Sequence, residues 1–293
     1  MAHRHIGEMQ LSRVEEMTIP LIEAGSMFAD FTPAHEEMHK DWLAPTYFNP
    51  VSKRLNMSIH TWVLRTAHHT ILIDTCFGNQ RNRPGFRDGH QLNTPWLQNL
   101  AAAGVRREDV DFVLCTHLHI DHVGWNTIEE NGRFVPTFPN ARYLFSKADF
   151  DYYDAENKAN PKRPAQHGAF NDGVLPIVEA GKAEMVGAEH AIDDNLLIRA
   201  APGHTPGSIT MQATSKGEQG LFTGDILHHP LQVWHPHWNS RFCVDPPAAA
   251  VSRRRVLEHC AEHHALLLPA HFAAPHCGYV HREGDAFRFE FAR

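Results

Sequence analysis

The stretch His117-Leu118-His119-Ile120-Asp121-His122 constrains this chain more than any other, because it packs four candidate metal ligands into six residues. It follows an apolar run, Phe112-Val113-Leu114-Cys115-Thr116, that reads as a buried strand. In extended backbone, residues i and i+2 face the same side, so His117 and His119 can share one ion. Asp121 and His122 come after the chain has begun to turn and can address a second position. Imidazole nitrogen with carboxylate oxygen suits zinc, the first expectation, and also iron, manganese or cobalt.

A histidine-rich surface turn is the plain alternative, since the chain holds 24 His. The rest of the sequence supplies further ligands in similar settings. His204 sits in Ala201-Pro202-Gly203-His204-Thr205-Pro206-Gly207-Ser208, just before an apolar stretch. Asp225 ends Leu221-Phe222-Thr223-Gly224-Asp225, and His271 ends Leu266-Leu267-Leu268-Pro269-Ala270-His271. Each lies where a strand meets a loop, the place where a rigid scaffold presents chemistry.

The order HxHxDH, PGHTPG, TGD and a strand-terminal His resembles the signature of the metallo-β-lactamase superfamily of hydrolases. Asp74, in Thr70-Ile71-Leu72-Ile73-Asp74-Thr75, matches the family's strand-end Asp. The resemblance runs from about Thr61 to His271. It implies an α/β fold, a four-layer αββα sandwich with the metals at one rim. The expected organisation is a single domain over residues 1–293 with an N-terminal extension at about 1–55. The resemblance also implies His117, His119 and His204 on a first ion and Asp121, His122 and His271 on a second. Asp225 would bridge both, together with a water or hydroxide. Asp74 would stand behind, accepting a bond from a ligand imidazole and fixing its tautomer.

Composition excludes several classes. At 293 residues the chain can bury a full hydrophobic core, and a net charge of -7 gives no hint of a nucleic-acid partner. The basic run Arg253-Arg254-Arg255 reads as a solvated helix face. The five cysteines are widely spaced, without a CxxC pair, and are expected as free thiols in a reducing compartment. Cys115, inside the core strand, reads as a small buried hydrophobe. The N-terminal Met1-Ala2-His3-Arg4-His5-Ile6-Gly7 has no apolar signal region. No stretch approaches the ~18 to 20 apolar residues of a membrane span. The expectation is a cytoplasmic protein with a small-molecule substrate and neither membrane nor nucleic acid as partner.

Strands are expected at Ser58 to Arg65, Thr70 to Ile73, Ala141 to Phe145, Leu196 to Ile198, Ile209 to Gln212 and Gly220 to Phe222. His68 and His69 read as a hairpin turn. Helices are expected from about Thr94 to Ala103, stopped by Gly104, and from about Pro247 to His264. Two long segments lack clear periodicity, Cys76 to Asn93 and about Asp151 to Gly173. Both follow strands of the first half and are placed to lie over the metal site. Phe77, Phe86, Tyr152, Tyr153 and Phe170 are candidates for an apolar pocket or for anchors of those loops. The segment His229 to Asn239, with three His and two Trp, is a candidate for an aromatic rim or a contact between two copies of the chain.

Two divalent ions ~3.5 to 4 Å apart generate a nucleophilic hydroxide at neutral pH and polarise a substrate oxygen. No Gly-x-Ser-x-Gly elbow occurs, so a serine hydrolase has no nucleophile here. The lactonase branch of the family often carries Tyr three positions after the bridging Asp, whereas this chain has His228. That resembles the branch that includes methyl parathion hydrolase. His228 would donate to a substrate oxygen or form a pocket wall; a loop His bonded to backbone is the plain alternative. The resulting expectation is a dinuclear hydrolase of small carboxylic esters or lactones, with phosphotriesters as side substrates. Asp121, Asp225 and His228 are the residues expected in catalysis. A glyoxalase-II-like thioesterase shares the ligand set but wants a basic C-terminal patch, where the tail offers only Arg282 and a titratable His. A β-lactamase fits less well because those enzymes do not generally use the bridging Asp. A non-hydrolytic di-iron redox site or metal-binding scaffold is the alternative from another class.

Overall fold

The computed structural model describes residues 4–292; residues 1–3 of the N-terminal stretch lie outside them. The first half supplies β1 (Arg4–Ile6), β2 (Met9–Glu23), β3 (Phe48–Asn49), β4 (Arg54–Arg65), β5 (Thr70–Ile73), β6 (Phe112–Leu114), β7 (Thr127–Glu130), β8 (Arg133–Pro136), β9 (Arg142–Ser146) and β10 (Ala183–Val186). Its helices are α1 (Ala24–Met27), α2 (Pro33–Met38), α3 (Lys40–Leu43), α4 (Trp96–Ala102), α5 (Lys147–Ala159) and α6 (Leu175–Glu179). The second half supplies β11 (Glu189–Asp193), β12 (Leu196–Ala200), β13 (Ile209–Ser215), β14 (Glu218–Gly224), β15 (Leu266–Pro269), β16 (Gly278–Glu283) and β17 (Ala286–Phe291), with α7 (Leu231–Trp234) and α8 (Pro246–His263).

Two mixed sheets result. One runs β1-β2-β4-β5-β6-β9-β10 with β3 beside β4; the other runs β11 through β17 in order. Their facing surfaces are apolar. Leu11, Trp62, Leu64, Ile71, Leu114 and Leu144 of the first sheet pack against Ile198, Met211, Phe222 and Leu268 of the second. Each such side chain contributes about 1.5 to 3 kcal/mol when fully buried. Trp62 also donates its indole N–H across the gap to the Pro269 carbonyl at 3.0 Å, so its polar edge is satisfied. On the outer faces, Trp96, Leu100, Tyr153 and Ile177 cover the first sheet, while Val256, Leu257 and Cys260 of α8 cover the second. The order helix, sheet, sheet, helix is the four-layer αββα sandwich.

The start of the chain is part of this architecture. β2 pairs with β4 along nearly its whole length, with register shifts between Glu15 and Met17 and between Pro20 and Ile22. Pro20 lacks a ladder donor and sits at such a shift, where Pro is tolerated. The helix expected after Thr94 is α4, and Gly104 ends it at φ +76°. α8 starts on the Asp245 carboxylate, which accepts Ala248 N–H at 3.0 Å, and ends on left-handed His264.

Two expectations are corrected. The stretch from Asp151 onward is mostly ordered: α5 runs to Ala159, and a π turn occupies Phe170 to Val174. Its apolar residues are spaced too irregularly for a sequence pattern to show a helix. The Arg253-Arg254-Arg255 run is not uniformly solvated. Arg253 is fully buried and donates to the carbonyls of Ile226 (2.8 Å) and Pro236 (2.7 Å). Among the described residues, no helix is long and apolar enough to cross a membrane.

Candidate metal centre

β5 and β6 run parallel in one sheet, and β14 and β15 run parallel in the other. Their C-terminal ends therefore share one rim, and every motif residue leaves from it. After β6, Thr116 donates its N–H (2.8 Å) and hydroxyl (3.0 and 2.8 Å) to the Asp74 carboxylate at the end of β5. Asp74 Oδ2 lies 3.0 Å from His122 Nδ1. The carboxylate thus fixes the start of the His loop and sets its charge beside one imidazole, whose Nδ1 makes no hydrogen bond to it.

Beyond this pair the side chains form two groups. Ligand atoms of His117, His119, His204 and Asp225 lie within 4.8 Å of one another, as do those of Asp121, His122 and His271. His204 Nε2 is 3.1 Å from His117 Nε2 and 2.9 Å from His119 Nδ1. Asp225 faces both groups. Its Oδ2 is 3.4 Å from His204 Nε2 and 3.7 Å from His117 Nε2, while its Oδ1 is 3.4 Å from His122 Nε2 and 3.0 Å from His271 Nε2. Asp121 closes the second group, with one oxygen 3.5 Å from His122 and the other 3.5 Å from His271.

The donor chemistry fits cations. Three imidazole nitrogens converge in the first group, and a neutral imidazole has only one N–H, so lone pairs must face one another. In the second group, His271 Nδ1 bonds the Ser58 carbonyl at 3.0 Å and so carries a proton. Its Nε2 then turns a lone pair toward two carboxylates, unless it is protonated or a cation lies between. His122 Nε2 and Asp225 Oδ1 are buried without a hydrogen-bond partner. Burial pushes His117 and His204 well below the usual imidazole range and His119 down to about 4. Burial alone would raise Asp225, but His271 and His122 hold it well below the carboxylate range. The first group thus presents neutral imidazoles, the state a metal ligand requires, whereas in the second group Asp225 and its neighbouring carboxylates outweigh burial and raise His122 and His271, so positive charge sits there among the carboxylates where a cation would replace it.

A cavity of about 1070 Å³ opens above these groups. Phe77, Phe86, Tyr152 and Tyr153 line it, with Met57, Phe242 and Val244. Phe170 does not; it is buried in the core, its ring 5.5 Å from Phe150. No residue of the His229 to Asn239 segment lines this cavity, so it forms no rim there. Trp234 stacks on Trp42 at 4.5 Å, Trp238 packs on Phe28 at 5.8 Å, and His229 bonds the Tyr47 carbonyl at 3.0 Å. The helices after β2, which no sequence pattern placed there, cover the segment instead. Arg282 is also remote from the cavity and lies 3.4 Å from Glu258.

His228 does line the cavity and is 1% exposed. Its Nε2 is 3.2 Å from Asp225 Oδ2 and 3.4 Å from Ser240 Oγ, whereas its Nδ1 has no partner. Burial lowers its pKa, so it is neutral near pH 7, with the proton best placed on Nε2. Several supporting residues carry no motif that could have announced them. Ser58 and Ser240 bond His271 and His228, Cys243 Sγ is 3.9 Å from His204 Nδ1, and Arg253 holds the carbonyl next to Asp225. Asp149 lies buried beneath the His loops.

Comparison with known proteins agrees with this geometry. Three solved structures share the whole fold. Hydrolase AbOPH of the beta lactamase superfamily has a TM-score of 0.81 at 22% identity, covering 99% of this chain and 97% of that one. AidC, described as a dizinc quorum-quenching lactonase in complex with its product N-hexanoyl-L-homoserine, has a TM-score of 0.79 at 21% identity, covering 100% and 97%. A probable metal-dependent hydrolase from Staphylococcus aureus has a TM-score of 0.79 at 18% identity, covering 99% of each. No curated protein matches the chain. Residues 56–271 match the model of the metallo-beta-lactamase superfamily, which is most of the chain and spans every residue of both ligand groups. The chain belongs to the metallo-β-lactamase superfamily and is a hydrolase of that family.

Proposed function

We propose that the protein is a dinuclear metal-dependent hydrolase of small carboxylic esters or lactones, with phosphotriesters as side substrates. The observation that carries this reading is Asp225, whose two oxygens face two separate ligand groups. His117, His119 and His204 would hold one divalent ion, Asp121, His122 and His271 the other, and Asp225 both. Zinc suits the nitrogen and oxygen donors. Two such ions, when bound, supply an acidified water as nucleophile and polarise the carbonyl or phosphoryl oxygen of the substrate.

The chain's own residues do the rest. The apolar side of the cavity, with Met57, Phe77, Phe86, Phe242 and Val244, takes the hydrocarbon part of a substrate and excludes water from it. His228 Nε2, on the cavity wall 3.2 Å from Asp225, would bond an oxygen that gains charge in the transition state. The Ser58 carbonyl holds His271 in its tautomer, and the Asp74 carboxylate lies 3.0 Å from His122 Nδ1. The lactonase and hydrolase descriptions of the fold-sharing structures support ester chemistry. Arg282 does not line the cavity, but Lys162 and Arg163 do, so a glutathione thioester is the competing substrate that the test includes.

The test is turnover by metal-defined protein of aryl esters, γ- and δ-lactones, a phosphotriester, S-lactoylglutathione and nitrocefin. The reading expects esters or lactones to lead by kcat/KM. Preference for S-lactoylglutathione or nitrocefin would overturn the substrate class.

A further inference from the structure

Asp149 sits in the first turn of α5 and is fully buried. One of its oxygens, Oδ2, accepts the Leu118 N–H at 3.1 Å and the Thr205 hydroxyl at 2.9 Å. The other accepts the Gly207 N–H at 2.6 Å. Leu118 lies between His117 and His119, and Thr205 directly follows His204. A single carboxylate therefore ties the loop that carries two histidines of the first group to the loop that carries the third. These loops belong to different sheets, one leaving β6 and the other entering β13. A backbone bond, from Ile209 N–H to the Thr116 carbonyl at 2.9 Å, and the contacts of His204 Nε2 with His117 and His119 also join them.

The surroundings are shaped for this contact. A Cβ on Gly207 would lie 2.2 Å from the Asp149 backbone nitrogen, so glycine is what lets the second loop reach the carboxylate. Three donors converge, and only an ionised carboxylate offers acceptors alone. Its position in the first turn of α5 adds the favourable field of a helix start. Burial raises its pKa to about 6 while the three bonds pull the other way, which leaves it ionised at neutral pH.

We infer that Asp149 is a positioning residue that sets the first metal group by locking the His117–His119 loop to the His204 loop. The inference rests on the reading of that group as a metal site. Asparagine at this position keeps the size but must aim an N–H pair at a backbone N–H of either Gly207 or Leu118. Misplaced ligand loops hold an ion less well, and groups that orient ligands this way typically account for about ten- to hundred-fold in metal affinity.

The experiment measures zinc affinity by competition with a chromophoric chelator, together with the melting temperature of each zinc-free protein. Wild type is expected to bind two zinc ions. Asp149→Asn should weaken one of them by roughly ten- to hundred-fold and leave the other close to wild type. Thr205→Val removes one of the three donors and should shift the same ion in the same direction by less. Glu16→Gln is the comparison, because Glu16 is a buried carboxylate that bonds Phe77 N–H, Trp125 and Thr94 and none of the His loops. It should lower the melting temperature with both zinc affinities kept. Asp149→Asn that loses melting temperature like Glu16→Gln, with both zinc affinities kept, overturns the inference. If Asp149→Asn does not fold, unchanged zinc affinities in Thr205→Val overturn it. Wild type that binds no zinc refutes the metal reading itself, and the inference falls with it.

Discussion

Replacing His228 by Ala separates a catalytic donor from a structural histidine. The ring is 1% exposed and its Nε2 has two acceptors in reach, Asp225 Oδ2 at 3.2 Å and Ser240 Oγ at 3.4 Å. Its single N–H faces the ionised Asp225, and loss of such a bond costs about 1.5 to 3 kcal/mol in stability. In a chain of this size each kcal/mol lowers the melting temperature by roughly 2 to 4 °C, so a drop of several degrees is expected in either case. Catalysis is where the two readings part. A donor to an oxygen that becomes charged only in the transition state is worth roughly 2.7 to 4 kcal/mol, or a hundred- to thousand-fold in kcat. KM should change little, because the ground state does not use the bond. The assay is kcat and KM on the best ester or lactone at fixed zinc, with metal content and melting temperature measured on the same preparation. His228→Tyr should recover part of the rate and shift preference towards lactones. A near wild-type kcat in the folded, fully metallated His228→Ala fraction would refute the donor role. A rate loss that tracks metal loss would instead make His228 a support of Asp225.

Two further outcomes are expected. Asp225→Ala removes a side chain whose two oxygens face both ligand groups, so it should lose at least one equivalent of metal and nearly all turnover; elemental analysis with the rate assay checks both. Glu16 carries a pH signature. Burial raises its pKa, so the folded state holds its proton more tightly than the unfolded chain does. Its favourable contribution is complete below the ordinary glutamate range and is lost as pH rises through the raised value. Glu16→Gln should therefore gain stability relative to wild type as pH increases across that window, and a difference in melting temperature that is flat or runs the other way with pH would contradict the raised pKa.

The clustering of these His and Asp side chains was legible because metal binding needs particular residue types, and the chain places them at strand ends. His117, His119, Asp121 and His122 are local in sequence, Asp225 and His271 each end an apolar run, and His204 sits in a turn just before one. The sandwich core was legible for the same reason, since Leu72, Val113, Leu144 and Phe222 lie in short apolar strands. What escaped was polar support supplied from far away. In the sequence Asp149 is an ordinary acidic residue between a strand and a segment without clear periodicity, and Arg253 one cation in a run that reads as solvated. Both are buried because loops distant in sequence bring them unpaired N–H and C=O groups. The aromatic segment after Asp225 misled for a related reason: Trp and His serve a packed interior as well as a pocket, and the helices α1 to α3 that bury Trp238 and Trp234 carry no strong periodicity.

The central claim is that seven side chains hold two metal ions around one shared carboxylate. Elemental analysis of protein purified without chelator and assayed in parallel tests it most directly. The account predicts close to two equivalents of divalent metal per chain and turnover that disappears and returns with the metal. Folded, fully active protein with a reproducible metal content near zero would contradict it.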